Sequence, residues 1–303
     1  MMLKSLKKTC ARLIGGLTGL ALTACATQPA PSAAEAMRPA LWRLADDDTT
    51  IYLFGTIHAL PPGVEWRTVR IEEALSASQE LVTEVAIGDD QAAAMAAMRR
   101  LGFAEGLPPL VERVPKPQRE ALRQAVAATG LPAAMFDHMR TWAAAITLVQ
   151  FAMQRAGINA ELGVDRGVTA TFGERRRPVS GLETVEEQFG FFAGLPEEAQ
   201  RSFLVAVLES PEEIRREFDA MLAAWTSGDT DAIARTFDDE TMMSADLREI
   251  LMTRRNARWA EWLERRLGQP GTIFVAVGAG HLAGRDSVQA MLERRGLRTQ
   301  RLQ

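Results

Sequence analysis

The sequence predicts an α/β fold, a central sheet built from N- and C-terminal strands with a large helical insertion in the middle. Three observations carry this. Apolar runs that empty into glycine stand at 51–54 and 272–277, and the run ELVTEVAI at 80–87 is rich in β-branched residues. Between 91 and 267 apolar residues recur mostly at the helical period. A lone strand–turn–helix at either end could not bury its apolar face, so the two ends are expected to share one sheet.

In chain order, IYLF at 51–54 reads as a strand after the DDDTT turn. Residues 67–78 read as a helix after the Pro-Pro-Gly punctuation, and 80–87 as a second strand. The helical middle covers about 91–160 and 184–267. Its pieces include 117–129, with Pro117 near the start, and one long helix over 133–155. A short strand and turn fall at 175–184, followed by helices at 184–193, 196–208, 211–226 and 229–236, with Pro196 and Pro211 as first-turn signals. One amphipathic helix is expected over 245–267, a strand over 272–277, a helix over 285–295 and a closing strand at the C-terminus.

The first residues have another use. MMLKSLKK is basic without acids and LIGGLTGLALTA is a short apolar stretch, the pattern of a signal peptide over 1–24. The stretch ends in LTAC, which resembles the lipobox of bacterial lipoproteins. Cys25 would then be lipidated and become the mature N-terminus. Ala26 follows it, rather than the aspartate that commonly retains such proteins at the inner membrane. The expected location is therefore the periplasmic face, with the lipid in the outer membrane; ordinary secretion to the periplasm is the alternative. Residues 25–40, small and Pro-rich, read as a flexible tether, and 41–303 as the folded domain.

Of two cysteines, Cys10 lies inside the signal, so no disulfide and no thiolate site is available to the mature chain. The formal charge is −4, and removal of Lys4, Lys7, Lys8 and Arg12 leaves the mature chain more acidic. The absence of a long basic tract argues against a nucleic-acid partner.

The chain has three histidines. Two stand in matching turns, His58 in LFGTIHALP and His281 in FVAVGAGHLAG, each three residues after a glycine that ends an apolar strand. If both strands lie parallel in one sheet, the histidines converge in the crevice at the carboxyl ends. With a carboxylate they would make a site for Zn, Mn, Fe or Co. A metal-free acid/base pair and two structural histidines are the competing readings. Glu84, ending an apolar strand, needs water or a partner. Glu183 either faces the site or caps the following helix, and Asp165 follows what reads as a helix end. Arg255 occupies a position of the apolar stripe Leu247, Leu251, Trp259 and Trp262, so it must snorkel or meet a buried anion. His138 reads as a helix-surface or structural histidine. HExxH, G-x-S-x-G and phosphate-loop motifs are absent.

Taken together, LFGTIHALP, LVTEV, GVDRGVTATFGERRRPVSGLETVEEQ, RRNARWAEWL and FVAVGAGHLAG resemble, in order, the blocks of the TraB/GumN family, related to the PrgY and Tiki proteins. The resemblance spans about 41–303. It implies functional weight for His58, Glu84 and His281 as metal ligands, with Glu183 and Arg255 as catalytic candidates. It further implies a divalent-metal-dependent hydrolase acting on a peptide or protein substrate, the ion being Mn, Co, Fe or Zn. Membrane contact would be through the lipid at Cys25. A metal-free hydrolase using histidine as general base, and a non-enzymatic module that binds peptide or metal, are the alternatives. Arg175–Arg177 depart from the family pattern, which bears on the pocket rim.

Overall fold

Residues 37–86, 91–208, 210–238 and 245–303 are described by a computed structural model, so the expected signal and Cys25 lie outside the described residues. Among the described residues the first elements are an antiparallel pair, β1 (Leu41–Ala45) and β2 (Thr49–Thr56), joined across the DDDT turn. It continues through α1 (Val69–Ala77), β3 (Glu80–Val85), α2 (Gln91–Gly102), α3 (Arg119–Ala128), α4 (Ala133–Asp137), α5 (Thr141–Arg155) and α6 (Val164–Glu174). Next come β4 (Val179–Glu183), α7 (Val185–Ala193), α8 (Glu197–Ala206), α9 (Pro211–Ser227), α10 (Thr230–Asp238) and α11 (Ala245–Arg248). A π-helical segment, Glu249–Thr253, leads into α12 (Arg254–Leu267), followed by β5 (Gly271–Gly278), α13 (Val288–Arg294) and β6 (Gln300–Arg301).

The ends do share one sheet, in the order β4-β3-β5-β2-β1-β6. β4, β3, β5 and β2 are mutually parallel, and β1 runs antiparallel to both β2 and β6. Parallel strands covered on both faces read as near-continuous apolar runs, which is why IYLF and TIFVAV lack polar alternation. β5 still splits its side chains by the strand period. Ile273, Val275 and Val277 face one core with Val82, Trp259, Leu263 and Leu292. Phe274 and Ala276 face the other, with Phe54, Trp66, Val168 and Trp225. The rest of the helical middle has a third core of its own, centred on Leu122, Phe136, Trp142, Leu148 and Leu204.

Several details differ from the sequence reading. β1 was not expected, although LWRLA alternates buried and exposed as a strand with one covered face does. The helix expected over 133–155 is broken at 138–140 between α4 and α5, where the turn carbonyls of Asp137 and Met139 are held by the Arg113 guanidinium. His138 caps α4 on the surface, 3.5 Å from Glu105. The helix expected over 245–267 is interrupted by the π segment just before Arg255. Asp165 does not follow a helix end; it lies in the first turn of α6, a helix the sequence reading did not separate. Arg175 and Arg177 lie away from the site. They donate to the carbonyls of Leu75 and Ser76 at the end of α1, the usual place for a cation on orphan carbonyls. Among the described residues no helix is long and apolar enough to cross a membrane.

Candidate functional site

β5 lies between β2 and β3, so strands distant in sequence end side by side. Read across the sheet, their carboxyl ends deliver Glu183 from β4, Glu84 from β3, Gly278 and then His281 from β5, and Thr56 and then His58 from β2. This is the crevice where open α/β sheets bind ligands. Arg255 comes down from α12, on one covered face.

The loop carrying His58 is pinned by the segment before α6. Leu60 and Asn159 exchange backbone hydrogen bonds of 3.0 Å, and Val164 N–H donates to Ile57 O at 2.9 Å. The approach is so close that a Cβ on Gly163 would lie 2.1 Å from His58 O. Trp225, buried in the opposite layer, donates its indole N–H to Gly55 O at 2.8 Å. From the first turn of α6, Asp165 takes the Thr56 hydroxyl at 2.7 Å and meets His58 Nδ1 at 2.8 Å. Nε2 of His58 is thus left to face the crevice.

His281 is 5 % exposed and held differently. Asn256 donates Nδ2 to Asp286 O at 2.8 Å, so its Oδ1 accepts from His281 Nδ1–H at 2.6 Å. The lone pair on Nε2 is then free to accept, and Arg255 Nη1 donates to it at 3.1 Å. Trp259 packs on the ring, with centroids 4.4 Å apart.

Glu84 Oε1 accepts from Gly278 N–H at 2.7 Å. Its Oε2 accepts from Arg255 Nη2 at 2.6 Å and from Gln188 Nε2 at 3.2 Å. A Cβ on Gly278 would lie 3.1 Å from Glu84 Oε1, 3.4 Å from His58 Nε2 and 3.7 Å from His281 Cδ2. The three side chains therefore converge over the bare Cα of Gly278.

Arg255 meets buried anions, as its place in the apolar stripe requires, and does not snorkel. Nε donates to both oxygens of Glu183 at 2.9 and 3.0 Å, and Nη2 to Glu183 Oε2 at 2.8 Å. Nη1 also donates to Leu251 O at 3.0 Å, a carbonyl of the π segment. Glu183 does not cap the next helix, because Thr184 does so in a capping box with Glu187. Glu183 accepts in addition from Arg258 Nη2, Trp259 Nε1 and Gln188 Nε2 at 3.2, 3.1 and 3.3 Å. With its lone pairs so occupied and the side chain 2 % exposed, it is an anchor for Arg255 rather than an acceptor for a substrate proton.

The charges follow from these contacts. Burial by the crevice walls works against a charge on His58. The Asp165 hydrogen bond and charge, with the Glu84 charge, outweigh it and carry the His58 pKa up to about 9. Burial likewise opposes the Glu84 charge, but His281, Arg255 and His58 around it, with the Gly278 N–H, hold it down at about 2. For His281, burial outweighs the Glu84 carboxylate and, with the Arg255 charge, lowers its pKa to about 3. In the metal-free protein at neutral pH, then, His58 carries a proton and His281 does not.

The residues can be tested against a divalent ion. Two imidazoles with Nδ1 tied to Asp165 and Asn256, plus one oxygen of Glu84, are a donor set of the right kind, backed as histidine ligands usually are. Among the described residues no three His, Cys, Asp or Glu side chains already stand at ion-binding spacing. The His281 lone pair is held by Arg255 Nη1, and loading the site requires that contact to yield. The His58 Nε2 proton must leave as well, since a histidine ligates as the neutral imidazole. With those two exchanges the set fits.

Asp165→Asn is expected to lower metal affinity 10- to 100-fold, the usual effect of losing a partner behind a histidine ligand. Titration calorimetry with Mn or Zn checks this; unchanged affinity would remove Asp165 from the site. No sequence signal marks Asn256, Gln188 or Trp259 as site residues, since their roles come from contacts across the fold.

Four parallel strand ends that gather two histidines and two glutamates under a helix-borne arginine define an α/β protein with a histidine–carboxylate–arginine centre. The chain belongs to the TraB/PrgY/gumN family, whose model matches residues 40–301. It is 28 % identical over 183 residues to the uncharacterized protein YbaP of Escherichia coli, covering 60 % of this chain and 67 % of that one. An uncharacterized protein of Treponema pallidum is 21 % identical over 273 residues, covering 84 % and 80 %. No solved structure matches.

Proposed function

We propose that this protein is a divalent-metal-dependent hydrolase of peptide or amide bonds, and that the crevice over Gly278 is its reacting centre. The observation that carries the reading is the convergence of His58 Nε2, Glu84 Oε1 and the His281 ring on one point, with each Nδ1 held from behind. His58, Glu84 and His281 would hold the ion, which when bound supplies a Lewis acid that polarises a carbonyl oxygen. Arg255 spends its N–H groups on Glu183, Glu84, Leu251 O and His281. Surrender of the His281 contact frees one of them at the crevice, where it can stabilise developing negative charge on substrate oxygen. Glu183 fixes the guanidinium for that role. In this reading Cys25 carries the lipid and the domain works at the periplasmic face, on the strength of the sequence alone.

The metal-free reading draws support from Arg255 already resting on His281. It needs, however, a histidine with a free lone pair at neutral pH. That of His281 is engaged and His58 carries its proton; a divalent ion can displace both the Arg255 contact and the His58 proton, whereas a metal-free base has nothing to displace them. A pool of random-sequence peptides separates the possibilities. Cleavage should be abolished by chelator, restored by Mn, Co, Fe or Zn, and absent in His58→Ala. Chelator-insensitive cleavage would favour the metal-free enzyme, and peptide binding without cleavage under any metal would favour a non-enzymatic module.

A further inference from the structure

Among the described residues β4 is the last strand of the sheet and pairs only with β3. Leu81 N–H donates to Pro178 O at 3.0 Å, so the carbonyl of Pro178 points at β3. N–H and C=O of one strand residue point to the same side, and sides alternate along the strand. Ser180 therefore also faces β3, in agreement with its carbonyl lying 3.4 Å from the Thr83 hydroxyl. Val179 and Gly181 consequently turn their N–H and C=O groups outward. Among the described residues no strand pairs with them on that side.

Beside this edge lies a groove of about 620 Å³, within the range of ligand sites. α2 forms one wall through Ala96, Ala97 and Arg100, and Gly181 and Leu182 line the other. The α2 wall carries small side chains at Ala96 and Ala97, which leaves space there for an incoming chain, while Leu182, Val185 and Glu187 line the far side. Arg100 and Glu186 form an ion pair at the rim. At its inner end the groove reaches Val85 and Glu183, the neighbour of Glu84 and the anchor of Arg255.

We propose that the outer edge of β4 receives the substrate as an extended polypeptide main chain, added to the sheet as a further strand. A row of outward N–H and C=O groups is complementary to one chemistry, another extended backbone, and reads it without regard to most side chains. The Ala96 and Ala97 wall restricts side chains that point into the groove, so small residues are favoured there. An unfolded segment supplies such a strand with both its edges free, whereas most strands of a folded domain are already paired. The substrate class is accordingly unstructured polypeptide. For turnover this rests on the hydrolase reading; for binding it does not.

The test uses the full chain in detergent with a pool of random-sequence decapeptides. Hydrogen–deuterium exchange should show the amides of Val179 and Gly181 slowing when the pool is added. Ala96→Trp, an exposed position in the groove wall, should keep the wild-type melting temperature and weaken peptide binding at least tenfold. Absence of binding, protection elsewhere only, or wild-type binding by Ala96→Trp would overturn the proposal. Peptides that bind and protect β4 but are never cleaved would leave the groove standing and sink the hydrolase. Cleavage by Ala96→Trp at the wild-type rate would do the reverse.

Discussion

Arg255→Met is expected to destabilise the fold by about 3–5 kcal/mol, the cost of breaking a buried ion pair from one side. The side chains of Arg255, Glu84 and Glu183 are 8, 12 and 2 % exposed, and one guanidinium bridges both carboxylates. Methionine matches the volume but leaves two buried anions, with Arg258, Trp259 and Gln188 as partial compensation. Arg255→Lys keeps the charge without the planar fork and should fall between the two. Removing all three charges together, with Glu84→Gln and Glu183→Gln added to Arg255→Met, should return much of the lost stability, because no uncompensated charge remains. Urea unfolding of the four proteins measures this. If Arg255→Met unfolds at the wild-type midpoint, the guanidinium is not the centre's keystone.

Gly278→Ala should have the opposite profile, with function lost and the fold kept. Gly278 has φ −51° and ψ 136°, a conformation alanine adopts without strain, and losing a glycine favours the folded state by about 0.4–1 kcal/mol through the unfolded chain. The new methyl, though, would sit 3.1 Å from Glu84 Oε1 and 3.4 Å from His58 Nε2. It fills the point where the donors meet. Metal affinity and peptide cleavage should fall by at least about 100-fold, a loss of some 2.7 kcal/mol, while the melting temperature shifts by no more than about 4 °C. A variant that binds metal and cleaves normally would show that the three side chains do not act over Gly278.

The sequence made parts of this centre legible for identifiable reasons. Apolar runs ending in Gly-x-x-His announced β2 and β5, because buried parallel strands need continuous apolar residues and the turn needs a glycine. Arg255 in an apolar stripe had to snorkel or meet a buried anion, and Glu183 and Glu84 are that anion. What stayed hidden depended on contacts between distant segments. Asp165 looked like the end of a helix, but the 159–164 segment pairs with the His58 loop and starts a new helix there. Asn256 sets the proton position on His281 from the next residue along α12, and no periodicity marks such a contact. The π segment that turns Leu251 O toward Arg255 is invisible in a regular apolar stripe. β1 was missed because five residues following a Pro-rich stretch give little pattern, and its identity as a strand rests on pairing with β2.

The central claim is that two turns more than two hundred residues apart, with Glu84, form one metal centre. The most direct measurement is elemental analysis of the full chain and of His58→Ala and His281→Ala, after exposure to Mn, Co, Fe and Zn and removal of unbound ion. The account predicts close to one equivalent in the wild type, lost in both variants. Ion-free wild type under every condition, or a variant that keeps its equivalent, would contradict it.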